Sequence, residues 1–199
     1  MHDWPGHAGG DVPSPTLVAA WLTLGTLPTE RIPLLAAFWL ADGYDGAALV
    51  DLAGLHGDDP YEVRDLLPAA LADCDVAVPT TDAAAAMTAF TSLAQLYADG
   101  KAGERWIVDK VSEILARSGY PSSVIALPLG QLYGLDDEWG AGWGRTDAEL
   151  LAVTREACLD QLRLAATHYA RSRRTSCGGS KCLLELPAPD GQNAIRSVE

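Results

Sequence analysis

Wherever apolar residues recur in this chain they do so at the spacing of an α-helix, and no segment alternates convincingly as a half-buried strand would. The pattern is sharpest at Ile107, Val111, Ile114 and Leu115, which fall at i, i+4, i+7 and i+8, with Asp109, Lys110, Glu113 and Arg117 off that stripe. Ala and Leu dominate the apolar residues and there are only two Phe, which suits close-packed helices better than an aromatic, β-branched sheet. The expected class is all-α, an irregular orthogonal bundle of about seven or eight helices.

Cap and turn chemistry sets the boundaries. One helix fits Thr16 to Leu24, closed by Gly25. A second fits Glu30 to Asp42, started by Thr29 and stopped by Gly43, with Leu34, Leu35, Phe38, Trp39 and Leu40 on its apolar side. A third runs from Asp45 to about Leu55. Asp59 caps a fourth, with Pro60 first in the helix and Glu62 at the capping-box position. Val63, Leu66, Leu67, Ala70 and Leu71 form its inward stripe, and Pro68 should kink it. Met87, Phe90, Ala94 and Tyr97 mark the next helix, up to Gly100, and the 107–115 stripe marks another, ended by Gly119. Residues 120 to 145, broken by Pro121 and Pro128, read as one short helix and a long surface loop. Thr146 and Glu149 make a second capping box, opening a last helix whose face, Leu151, Cys158, Leu162, Ala165 and Tyr169, runs to about Arg171.

The domain reading is an irregular lead-in over 1–15, a single helical domain over 16–172 and a flexible tail over 173–199. Ala41-Asp42-Gly43-Tyr44-Asp45-Gly46 is echoed by Ala98-Asp99-Gly100-Lys101-Ala102-Gly103 at an offset of 57. Shared turn chemistry explains that echo, and two related three-helix units plus a long C-terminal helix are its stronger form. Hydrophobic residues at 48% and charged ones at 21% exclude wholesale disorder. No apolar run approaches the roughly 18 residues of a membrane span, and the first residues lack the basic and apolar regions of a signal peptide, so the expected location is the cytoplasm. Cys74 and Cys158 fall on helical patterns and read as reduced core residues. Cys177 and Cys182 flank a Gly-rich turn, where two ligands fall short of structural zinc.

The net charge of −13 is unevenly placed. Residues 1–100 hold fourteen acids and two bases, Arg31 and Arg64, a net of −12; the remainder holds thirteen acids and twelve bases, a net of −1. Such a field repels nucleic acid and anionic membrane, and it attracts basic proteins. Within the acidic half, Ala53, Gly57 and Val63 resemble the spacing of helix-turn-helix DNA-binding domains. That resemblance implies a trihelical skeleton with a recognition helix, yet the helix would present Asp58, Asp59, Glu62 and Asp65 against Arg64 alone, and carboxylates repel phosphates.

A second candidate is Asp136-Asp137-Glu138-Trp139-Gly140-Ala141-Gly142-Trp143-Gly144-Arg145. Its three carboxylates lack the alternating ligand pattern of an EF-hand, while Trp139 and Trp143 are the residue type that anchors interfaces. No nucleophile with its base, phosphate loop, dinucleotide fingerprint or paired-His ligand motif appears, and His2, Asp3 and His7 on a terminus make a poor metal site. No metal or cofactor is therefore expected, and an enzyme is the less favoured reading.

The function expected is an acidic helical protein-binding module, with Asp58, Asp59, Glu62, Asp65, Asp136, Asp137, Glu138, Trp139 and Trp143 as its interaction residues. Its concrete form is a neutraliser of the immunity-protein or antitoxin kind, covering a basic protein partner and binding neither nucleic acid nor membrane. The alternatives are a helical enzyme with a carboxylate-based site and a helix-turn-helix-like regulator.

Overall fold

The computed structural model describes residues 12–141 and 143–176, apart from the side chains of 172–176. The expectations for residues 1–11, for the tail from 177 onward, and for His2, Asp3, His7, Cys177 and Cys182 lie outside the described residues. Among the described residues the chain is all-helical, with nine α-helices, two of them single turns, and no strand.

Local chemistry explains where the first helices begin. In α1 (Pro15–Leu24) the Ser14 hydroxyl accepts the Leu17 N–H at 3.3 Å, and Gly25 closes the helix at φ 71°. Helix α2 (Ile32–Ala41) starts later than expected, because Thr29–Arg31 forms a 3-10 turn instead of the first α-turn. Pro33 is the cause. A helix begun at Glu30 would need the residue-33 N–H to donate to the Thr29 carbonyl, and Pro has no N–H to give. Starting at Ile32 puts Pro33 in the first turn, where that donor is dispensable.

Helix α3 (Ala47–Ala53) has Gly46 as its N-cap and borrows its capping carboxylate from afar: Asp73, at the end of α4 (Pro60–Asp73), accepts the Leu49 N–H at 3.0 Å. The Asp59 carboxylate caps α4, accepting from the Tyr61 and Glu62 N–H groups at 2.8 and 3.4 Å. Thr81 caps α5 (Asp82–Ala98), and α6 (Glu104–Ser118) ends at Gly119, φ 77°. The Thr146–Glu149 box opens α9 (Asp147–Ser176) in full: the Thr146 N–H donates to Glu149 Oε2 at 2.8 Å and the Glu149 N–H returns to Thr146 Oγ1 at 3.3 Å.

The segment 120–145 departs from expectation. It folds as α7 (Ser122–Ile125), a 3-10 turn (Leu129–Leu132) and α8 (Leu135–Glu138), which bury Val124, Leu129, Leu132 and Leu135. The prolines cut the apolar run into pieces too short to display a period, so a docked segment resembled a loop. Gly130 sits so close to the Val124 carbonyl that any side chain there would strike backbone.

Helix α5 is the hub. It packs against α1, α6, α7 and α9, while α3 packs on both α2 and α4, and α1 touches α4, α5 and α6. Phe90 of α5, Trp39 of α2, Leu24 of α1, Leu71 of α4 and Ile107 of α6 are all shut off from solvent in one continuous core. The Tyr97 hydroxyl links α5 to its neighbours, donating to Glu104 Oε1 at 3.1 Å and accepting from Arg155 Nε at 3.2 Å.

Two faces differ from the sequence expectation. On α2, Ile32, Leu35, Ala36 and Trp39 point inward, while Leu34 and Phe38 stand out in solvent. The helix is apolar on every side, so its periodicity could not select a face. On α9 the buried line is Leu150, Thr154, Cys158 and Gln161, turned by roughly 60° from the expected stripe at 100° per residue, which leaves Leu151 and Tyr169 exposed. The polar members of that line are held by hydrogen bonds from Thr154 to the Leu150 carbonyl and from Gln161 to Thr91. The helix also runs on to Ser176.

The two echoed turns share one backbone. Asp42 (φ −79°, ψ −1°) and Asp99 (φ −77°, ψ −1°) end their helices alike, and Gly43 and Gly100 follow at positive φ. The Tyr44 N–H reaches the Trp39 carbonyl as the Lys101 N–H reaches Leu96, at 3.1 and 2.9 Å.

Candidate functional site

The acidic residues at the start of α4 form one exposed face. Asp58, Asp59, Glu62 and Asp65 all lie in solvent, and none of them forms an ion pair among the described residues. Asp59 is committed to its cap, so Asp58, Glu62 and Asp65 are the carboxylates with nothing to hold. Beside them Tyr61 is 77% exposed, the most open large apolar side chain among the described residues. The α3–α4 pair does exist, with Gly57 at φ 76° pressed against the Glu30 backbone in the turn between them. The exposed polar side chains in the first turns of its second helix are Tyr61, Glu62, Arg64 and Asp65, so a single guanidinium stands among carboxylates where a base-reading helix requires several cationic and amide groups.

The second acidic segment is used differently. Glu138 Oε1 pairs with Arg145 Nη1 at 2.6 Å, and its Oε2 accepts the Arg145 N–H at 2.9 Å, so this carboxylate clamps its own loop. Asp136 and Asp137 are exposed. Trp139 folds back onto the core, whereas Trp143 is 61% exposed. Helix α8 packs on α6, while α4 packs on α3, α1 and the 3-10 turn, so the two acidic groups belong to different parts of the fold. Among the described residues no cluster of three His, Cys, Asp or Glu side chains could hold a metal ion.

Cys74 and Cys158 are buried and reduced, as their helical pattern implies. Burial pushes the Cys158 thiol up to about 12, with the charge of Glu104 adding to it. Such a thiol is a core residue without nucleophilic use.

A cavity of about 320 Å³ was not foreseen. It opens between the α1–α2 connection, α4 and α6, with Trp21, Leu27, Leu35 and Ile114 in its walls. Arg31, Arg64, Lys110 and Arg117 also line it, against Glu30 and Glu113. Lys110, expected on an exposed face of α6, is 7% exposed; its ammonium pairs with Glu113 at 2.6 Å and lies 5.8 Å from the Trp106 ring centre. The Thr26 hydroxyl, in the same wall, is closed off from solvent with no hydrogen-bond partner among the described residues. One signal for this site was present in the sequence: the only two bases before residue 101 are Arg31 and Arg64, and both line it.

Together these features define an all-α protein with one acidic helix face and one cation-lined cleft. Comparison with protein-family models, with curated proteins and with solved structures gives no match to any of the three.

Proposed function

We propose that this chain is a cytoplasmic protein-binding module that uses the N-terminal face of α4 to engage a basic protein, as a neutraliser of the immunity or antitoxin kind would. The observation that carries this reading is the exposed Tyr61 at the start of α4 with the exposed Asp58, Glu62 and Asp65 near it along the chain, carboxylates without an ion-pair partner among the described residues. Glu62 and Asp65, three residues apart on the helix, repel each other by a few tenths of a kcal/mol, and a cationic surface laid against them would relieve that repulsion. A tyrosine brings large contact area at low entropic cost, which suits it to be the anchor inside a charged rim. Among the described residues no helix is long and apolar enough to cross a membrane, and an acid-rich face disfavours nucleic acid and anionic lipid alike.

The test is affinity capture from native extract with the wild-type chain and with a variant carrying Asp58→Asn, Asp59→Asn, Glu62→Gln and Asp65→Asn. Asn caps as well as Asp, so this variant should keep α4. Wild-type capture should weaken with salt, because the Debye length shrinks from about 10 Å at 0.1 M to about 3 Å at 1 M. The quadruple variant should bind more slowly, and Tyr61→Ala should hasten dissociation. Retention of every partner by the folded quadruple variant at all salt concentrations would overturn the proposal.

A further inference from the structure

We infer that the cleft between α1, α4 and α6 is a binding site for a small organic carboxylate, an acid group carried on an aromatic or aliphatic body. This site is separate from the acidic face of α4 and stands whether or not that face binds a partner. Its first support is convergence. In a chain of net charge −13, cations are scarce, above all in the first hundred residues. Arg31 of the 3-10 turn and Arg64 of α4 nevertheless meet Lys110 and Arg117 of α6 around one cavity, four cations against two carboxylates among the described residues. Uniform surface acidity would not gather them there.

The cations have different tasks. Lys110 is held by Glu113 and contributes mainly its field. Arg64 and Arg117 are exposed at the cleft and have no ion pair among the described residues. A guanidinium presents a planar fork of donors that matches the two oxygens of a carboxylate. Behind these groups the cavity is walled by Trp21, Leu27, Leu35 and Ile114, a surface that favours an apolar body and offers a bare inorganic anion nothing.

Size and field narrow the ligand. A cavity of about 320 Å³ lies at the small end of ligand pockets, so it takes a small molecule and not a polymer. The overall negative field repels every anion, and a dianion twice as strongly as a monoanion, which favours a carboxylate over a phosphate ester.

The experiment is a titration of the full-length, methyl-labelled protein by nuclear magnetic resonance, with benzoate, its neutral counterpart benzamide, and inorganic phosphate as probes. Benzoate should shift the methyl signals of Leu35 and Ile114 saturably. Benzamide should bind about tenfold more weakly, the usual worth of one charge-assisted hydrogen bond. Inorganic phosphate should leave those methyls unshifted. Arg64→Gln and Arg117→Gln, both changes of exposed side chains, should each weaken benzoate about three- to tenfold while the rest of the spectrum stays in place. The inference is overturned if benzoate gives no saturable shift, if benzamide matches it, if phosphate binds as tightly, or if both variants bind benzoate like the wild type.

Discussion

Replacing Gly46 with Ala should destabilise the protein by about 2–4 kcal/mol, and part of that cost should be shared with Asp73. Gly46 lies at φ 156°, ψ 152°, a region entered almost only by glycine, and forcing another residue there costs about 1–3 kcal/mol. The added Cβ also falls on the Cβ and Cγ of Asp73, far inside contact distance. Asp73 must then move, and the 3.0 Å bond it accepts from the Leu49 N–H is lost, worth about 1 kcal/mol as a helix cap. Helix α3 has only seven residues, so it has little else to secure its first turn. Asp73→Ala alone should cost about 1 kcal/mol, but in the Gly46→Ala background almost nothing more, because that cap is already gone. The assay is a double-mutant cycle of urea melts followed by far-ultraviolet circular dichroism, with the slope checked for constancy. A coupling of about 1 kcal/mol should stand clear of the roughly 0.3–0.5 kcal/mol scatter of independent sites. Strict additivity, or a Gly46→Ala variant as stable as the wild type, would refute the remote cap.

Thr26→Val should stabilise the fold by about 1 kcal/mol, a rise of about 2–4 °C in Tm at this size, because it removes a buried hydroxyl with no partner among the described residues; a fall in Tm would mean that the hydroxyl is bonded. Glu149 is held below the usual carboxylate range, first by the Thr146 N–H and then by its hydroxyl, so its contribution is complete above the ordinary carboxylate value and lost as pH falls through the lowered one. The Tm gap between wild type and Glu149→Ala should therefore be constant down to about pH 5 and close in stronger acid, and a gap that persists there would refute the capping box. With Cys74 changed to Ala and Cys177 and Cys182 to Ser, the native protein at about pH 8 should react with a disulfide reagent only as fast as it opens, since Cys158 is shut off from solvent and its thiol is pushed up to about 12. Immediate labelling would place that thiol at the surface.

The echoed turns were legible because their chemistry is local. An Asp ending a helix followed by a Gly at positive φ is written in adjacent letters, and both copies fold alike. The same holds for the Asp59 and Thr146 caps and for the stripe of Val63, Leu67, Ala70 and Leu71, whose opposite face is polar enough to fix the inward side. The candidate sites were legible only in part. Exposure of Asp58, Glu62 and Asp65 followed from their charge, but the different fates of Trp139 and Trp143 could not be read from one Gly-rich loop.

By itself, then, the sequence determined the helical class and the Asp59 and Thr146 caps, which depend on residues within a turn or two of one another, and the acidity of the first half, which is composition alone. Tertiary structure decided which sides of α2 and α9 face inward, because an evenly apolar helix and one with a polar buried line have no stripe that selects a face without a neighbour. It also decided that Asp73 caps a helix 24 residues away in sequence and that Arg31, Arg64, Lys110 and Arg117 surround one cavity. The Asp73 cap depends on α3 packing back against α4, and the four cations meet only because α1, α4 and α6 pack around a common core.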